Sequence, residues 1–270
     1  MNARPGRTNK EKLIEVKHLH KSFPLPGSLL FRRKKHFQVL KDLNLTIYTG
    51  ETIGLVGESG SGKSTLAECI GGLQSIPANS VYYKGVPLEK LSGDAYKAYR
   101  RNVQFVFQSP YDTLNPRMTV AQIIREPMRI QKMFRTKNEE DAAINDLLHD
   151  VGLDPSFTHA FPGQLSGGQC QRVAIARALS LKPELIICDE AVSALDVSVQ
   201  ATILNLLQDL KQKYDVSYLF ISHDLGVVRS IADRVIVVKN GEIVEEGRME
   251  EVFHHPKESY TKELLAAIPE

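Results

Sequence analysis

Hydrophobic positions change their spacing several times along the chain, and each change marks a strand or a helix. Leu13-Ile-Glu-Val16 opens an extended segment leading to Phe23. Val39-Leu-Lys-Asp-Leu-Asn-Leu-Thr-Ile47 alternates apolar and polar residues as a half-exposed strand does. Between them, a Pro- and Gly-containing loop from Pro24 to His36 includes the basic run Arg32-Arg-Lys-Lys35. Ile53-Gly-Leu-Val56 reads as a buried strand and Lys63–Leu73 as a helix. Val103–Phe107 predicts a strand closed by Gln108. Helical patterns follow over Thr119–Arg129 and Glu139–Val151. The second sets Ile144, Leu147, Leu148 and Val151 on one face and stops at Gly152. Next come a helix from about Gly168 to Ser180, the strand Leu185–Cys188, and a helix with Asp196 at its N-cap. Tyr218–Ser222 and Arg234–Val238 are strands, the latter turning at Asn240-Gly241 into Glu242–Glu245. Strands alternating with helices imply an α/β fold on a mostly parallel sheet. The helical block at about 110–170 breaks the alternation and reads as an inserted lobe.

Composition adds bounds. The 270 residues, 42% hydrophobic and 24% charged, suffice for one sizeable α/β domain with an insertion. A formal net charge of +2 gives no reason to expect nucleic acid as a partner. Cys69, Cys170 and Cys188 lack metal-ligand spacing and fall on helix or strand positions, so reduced, buried thiols are expected. Met1-Asn-Ala-Arg-Pro-Gly-Arg7 is polar, unlike a signal peptide, and no apolar run reaches the roughly 20 residues of a membrane-spanning helix. His254-His255 is an adjacent pair without further ligands in the tail, so a solvated turn is expected rather than a metal site.

The chemistry begins behind Val56. Gly57-Glu-Ser-Gly-Ser-Gly-Lys63-Ser64-Thr65 is a G-x-x-x-x-G-K-[ST] loop between a strand and a helix. Such a turn aims backbone N–H groups and a helix N-terminus at one point, where a triphosphate sits. Gly57, Ser59, Gly60, Ser61, Gly62 and Thr65 form the cradle, Lys63 reaches the β/γ oxygens, and Ser64 can place its hydroxyl on Mg²⁺. A second acidic element is needed, and Leu185-Ile-Ile-Cys-Asp189-Glu190 ends in two carboxylates. Asp189 is expected to hold the metal, directly or through water. Glu190 is expected to orient and polarise the attacking water.

Leu165-Ser166-Gly167-Gly168-Gln169 resembles the signature of ATP-binding-cassette (ABC) ATPases and lies, as in that family, between the phosphate loop and the acidic strand. Its serine and glycines at a helix N-terminus make a second anion site. Gln108 is similar to the family's Q-loop glutamine, which contacts Mg²⁺ and water. Ser193-Ala-Leu-Asp196 resembles the D-loop, and His223, in Ile221-Ser-His-Asp224, the switch histidine that reaches the γ-phosphate. The family stacks adenine on an N-terminal aromatic residue. Phe23 holds the matching place, with Phe37 as its competitor. Phe107–Val120, Ile124–Met128 and the tail Val252–Pro269 are similar to peptide and nickel import ATPases, and the basic loop suits the F-type member of their paired D and F subunits. Cys170 and Cys188 depart from the usual residues without removing a ligand. The tail has no cysteine for the iron–sulfur cluster that some relatives carry.

The resemblance implies a P-loop NTPase (RecA-like) core with an N-terminal antiparallel β subdomain and an inserted helical subdomain. The ATPase domain would span 12–256 and the importer tail 257–270. It implies ATP and Mg²⁺ as ligands. It also implies a second ABC ATPase, sister or self, joined head-to-tail so that each signature serves the partner's ATP. The other partners are two membrane permeases and, indirectly, an extracytoplasmic binding protein. The implied place is the cytoplasmic face of the membrane, and the implied cargo di- or oligopeptide, nickel or a metal chelate. An exporter ATPase and a non-transport ABC protein of DNA repair or the ribosome are the alternatives. If Tyr111–Val120 receives a permease, Leu114 and Met118 should be partly exposed.

Overall fold

The computed structural model describes residues 11–24 and 36–267. The basic run Arg32–Lys35 and the polar N-terminal heptapeptide lie outside the described residues. Ten strands run in the order β1 (Lys12–Pro24), β2 (His36–Tyr48), β3 (Thr52–Val56), β4 (Val81–Tyr83), β5 (Val86–Pro87), β6 (Val103–Val106), β7 (Leu185–Asp189), β8 (Ser217–Ser222), β9 (Arg234–Lys239) and β10 (Glu242–Arg248), counted among the described residues. Helix α1 (Lys63–Ile70) follows β3, and α2 (Gly93–Asn102) precedes β6. The inserted lobe carries α3 (Pro110–Thr113), α4 (Val120–Ile130), α5 (Lys137–Asp150) and α6 (Gly167–Leu179). Then come α7 (Val197–Tyr214), α8 (Leu225–Arg229), α9 (Met249–His254) and α10 (Ser259–Ala266).

The strands make two sheets. An antiparallel sheet has the order β2-β1-β4-β5. The other runs β10-β9-β3-β8-β7-β6, parallel except where β10 folds back on β9. That last hairpin turns at Asn240 and Gly241, both with positive φ (50° and 80°), as a two-residue type I′ turn requires.

Why the parallel strands read as unbroken apolar runs is visible in their packing. Ile53, Leu55, Leu185, Ile187, Leu219 and Ile221 join the hydrophobic cluster under the antiparallel sheet. Their neighbours Val56, Ile186, Cys188, Tyr218 and Phe220 point the other way, into the cluster shared with the helical lobe. Period-two alternation persists, but both faces are covered. Cys69, Cys170 and Cys188 are free, buried thiols.

The lobe is built from strong local signals. Thr119 with Gln122, Thr136 with Glu139, and Ser166 with Gln169 form capping boxes that start α4, α5 and α6. Each such cap contributes about 1 kcal/mol. The guanidinium groups of Arg125 and Arg129 on α4 hold Glu140 of α5, and Arg125 also pairs with Asp141.

Three expectations change. Helix α2 is unheralded because GDAYKAYRRN buries only Tyr99, leaving no apolar stripe. Asp196 stands at the N-cap of α7, yet its side chain makes no cap hydrogen bond. Leu114 is not a surface residue: it is 1% exposed and belongs to the cluster that contains Val120 and Ile124, with Met118 packed partly buried against it. Leu114→Glu is therefore a folding lesion. It should cost about 3–5 kcal/mol by leaving a carboxylate unpaired in the core, read as a lower midpoint in urea unfolding of the purified chain.

Candidate functional site

The sheet register gathers the chemistry. Val56 pairs with Ser222 and Asp189 with Ile221, so Gly57, Glu190 and His223 each follow the C-terminal ends of neighbouring strands. Gly57 has φ 151°, and a Cβ there would stand 2.1 Å from the Val238 carbonyl oxygen. Gly62, at φ 106°, begins α1 against Leu40 of β2, where a Cβ would come within 2.8 Å. Only glycine lets the loop pass these two points.

Lys63 is buried beneath this loop. Its ammonium donates to the carbonyls of Gly57 (2.7 Å) and Glu58 (2.8 Å). Burial pushes its pKa below the usual lysine value, while the carboxylates of Glu190, Asp189 and Glu58 pull it back up. The Ser61 hydroxyl is buried with no hydrogen-bond partner, an unsatisfied donor inside a phosphate cradle. Ser59 and Gly60 are exposed at the loop's crest, and Thr65 is half-buried in the first turn of α1.

Across the cleft, Ser64 Oγ donates to Asp189 Oδ1 at 3.1 Å. Burial raises the Asp189 pKa above the ordinary carboxylate range; the Ser64 hydrogen bond opposes this, and Glu190 and Glu68 add to it. A hydroxyl and a crowded carboxylate are hard oxygen donors of the kind Mg²⁺ takes, with phosphate and water completing the shell. Among the described residues, no three His, Cys, Asp or Glu side chains cluster to hold a metal alone.

Glu190 adopts φ 49°, unusual for a residue with a side chain. Its amide donates to the Ile221 carbonyl (3.1 Å), and its own carbonyl accepts from the Ser193 amide and hydroxyl (3.1 and 2.9 Å). His223 Nδ1 lies 3.6 Å from Glu190 Oε1. The following turn is fixed by Asp224, which caps α8 through the amides of Gly226 and Val227.

The remaining sequence-predicted residues fall into two groups. Gln108 is exposed in the loop after β6. Phe23 and Phe37 are direct cross-strand partners on β1 and β2. The Phe23 ring is faced by the Lys21 ammonium at 5.1 Å, whereas Phe37 is 59% exposed. The signature is separately supported. Ser166 Oγ accepts from the Gln169 amide, and Gln169 Oε1 accepts from the Ser166 amide. A Cβ on Gly168 would lie 2.7 Å from Val199, and one on Gly167 would lie 3.5 Å from Leu195, so the D-loop region packs directly on the signature. Asp196 is exposed beside it.

Two supporting residues were missed from sequence. Tyr111 donates from its hydroxyl to the Leu165 carbonyl (2.8 Å), and Tyr260 accepts from the Glu58 amide (2.9 Å). Both lie in segments that resemble import ATPases, but nothing in those segments marks a tyrosine as a support of the signature or the phosphate loop.

Comparison with known proteins agrees with this geometry. The ABC transporter family model matches residues 40–193. The chain is 44% identical to the oligopeptide transport ATP-binding protein OppF of Haemophilus influenzae, over 97% of this chain and 79% of that one. It is 44% identical to OppF of Streptococcus mutans, over 97% of this chain and 83% of that one. Among solved structures, a dimeric ATP-binding cassette in a post-hydrolysis state with ADP and Pi superposes with a TM-score of 0.76 at 31% identity, covering 88% of this chain and 99% of that chain.

Lys63→Ala removes both the buried charge and its two loop contacts. ATP affinity of the purified chain should fall by about 100-fold or more, measured by titration calorimetry.

Proposed function

The chain belongs to the ABC transporter family and is an ATP-hydrolysing cassette, and we propose that its hydrolysis powers the import of oligopeptides. The observation that carries the ATPase reading is the alignment of the phosphate loop, the Asp189-Glu190 pair and His223 on adjacent parallel strands. The oligopeptide reading follows from relatives bearing that function over nearly the whole chain.

The residues divide the work. The loop amides from Gly57 to Thr65 and the Lys63 ammonium bind the phosphates. The Phe23–Phe37 pair takes the adenine on a flat apolar face, Phe37 offering the more accessible ring. Ser64 and Asp189, assisted by Gln108, would hold Mg²⁺, which when bound would supply charge neutralisation to the phosphates. Glu190 accepts a proton from the attacking water and orients it in line with the γ-phosphorus. His223, close to that carboxylate, steadies it and donates to the γ-phosphoryl oxygens.

Ser166, Gly167, Gly168 and Gln169 sit on the far support of α6 and Asp196 beside them; they are proposed to complete the ATP site of a second cassette in a head-to-tail dimer. That second cassette is a sister subunit or another copy. Closure brings the trans signature to the γ-phosphate, and hydrolysis releases it.

Two membrane permeases and an extracytoplasmic binding protein complete the proposed assembly, with this chain peripheral on the cytoplasmic face. Among the described residues, no helix is long and apolar enough to cross a membrane. With Leu114 buried, the permease contact moves to a cavity of about 250 Å³ where β6 meets α4. Leu73, Phe107, Pro127 and Ile130 line it, and Ile130 is 71% exposed.

Two experiments test this reading. Glu190→Gln should slow hydrolysis by about 100-fold or more while ATP binding persists; near-normal turnover in the assembled complex would remove Glu190 from the base role. Ile130→Glu should abolish co-purification with the permeases and peptide uptake, leaving ATP affinity of the isolated chain unchanged. Wild-type uptake in that variant would place the contact elsewhere.

A further inference from the structure

We propose that Tyr260, in the C-terminal segment, is a positioning residue of the nucleotide site, acting through one peptide group of the phosphate loop. That group joins Gly57 to Glu58. Its carbonyl oxygen accepts from the Lys63 ammonium at 2.7 Å, and its amide donates to Tyr260 Oη at 2.9 Å. A trans peptide is planar, with its C=O and N–H directed oppositely. A hold on the amide therefore fixes where the Gly57 carbonyl points, and with it one of the two acceptors that locate Lys63, the Glu58 carbonyl being the other. The hydroxyl reaches this peptide from 202 residues away in sequence.

The tyrosine is itself well held. It is 3% exposed, and the Lys239 ammonium lies 4.3 Å from its ring centroid. The Glu245 carboxylate accepts from the amides of Lys257 (2.8 Å) and Glu258 (3.2 Å), anchoring the turn into α10. Thr261, the next residue, is wholly buried. The loop's other limb is secured from the same part of the chain, because the Gly241 amide donates to the Ser61 carbonyl at 3.0 Å. The segment after β9 thus holds the cradle at two points, and only the Tyr260 contact bears on the peptide that locates Lys63. Pre-aimed groups bind more tightly because less ordering remains for the ligand to impose.

The inference rests on the loop being the ATP site, and the test separates the two. ATP binding and turnover are measured on the purified wild type, on Tyr260→Phe, which keeps the ring, and on Val252→Ala, which loosens α9 without touching the loop. Tyr260→Phe should raise the ATP dissociation constant and KM about five-fold with kcat within about two-fold, the share of one hydrogen bond. Its Glu58 amide should exchange hydrogen faster. Val252→Ala should lower thermal stability and leave ATP affinity unchanged. Wild-type affinity in Tyr260→Phe, or an equal loss of affinity in Val252→Ala, overturns the positioning role. A wild type that binds no ATP overturns the nucleotide reading itself, and this role with it.

Discussion

The parallel ladder joining β3, β8 and β7 is the constraint on which the rest depends. Thr52 to Val56 pair residue for residue with Tyr218 to Ser222, and Leu185 to Asp189 with Ser217 to Ile221. All three strands are buried on both faces, so a one-residue slip would exchange the contents of two cores. Register is therefore set by packing, far more strongly than the chemistry alone could set it. The phosphate loop, the acidic pair and the switch histidine inherit their alignment from that packing. Parallel strands also end on the same side, which is why the C-terminal edge of such a sheet collects a site.

The site is costly to the empty chain. A lysine is buried and an aspartate half-buried within it, a serine hydroxyl has no partner, and a glutamate is held at φ 49°. Strain of the last kind alone amounts to about 1–3 kcal/mol. Each cost has the same remedy. In the proposed function, phosphate oxygens would accept from the Ser61 hydroxyl and attract Lys63, and a divalent cation would relieve the crowding of Asp189, Glu190 and Glu68. Polar groups that destabilise the empty site are the ones a charged ligand stabilises, so binding energy is concentrated where the chemistry occurs.

How much of this was legible depended on range. The phosphate loop, β7 with its carboxylates and His223 are contiguous patterns, and an apolar run before polar residues is enough to seat them at strand ends. The mostly parallel sheet and the helical insertion were legible from the alternation of strands and helices, the antiparallel sheet only through the family resemblance, and β4, β5 and the capping boxes went unread. Tyr260 was not, since its role is a single hydrogen bond to an amide that carries no side-chain identity. Leu114 was misread because Pro110–Val120 has no periodicity, so sequence gives no face to assign. Position along the chain put Phe23 ahead of Phe37, but pairing across strands sets both rings at one place, where Phe37 is the more exposed and Phe23 carries the Lys21 ammonium.

A short stretch of chain links the two proposed half-sites. The Glu190 carbonyl is held by Ser193, and three to six residues on, Asp196 and Val199 lie at the start of α7. There the side chains of Leu195 and Val199 face the bare backbone of Gly167 and Gly168. In the proposed dimer, Glu190 would serve the ATP of this chain, while the signature would serve the ATP of its partner. A displacement at Glu190 would reach the signature through the turn Ser193–Asp196 and the Leu195 and Val199 contacts, since packed atoms yield little. In the proposed head-to-tail pair the two ATP sites would then be coupled twice, once through each chain.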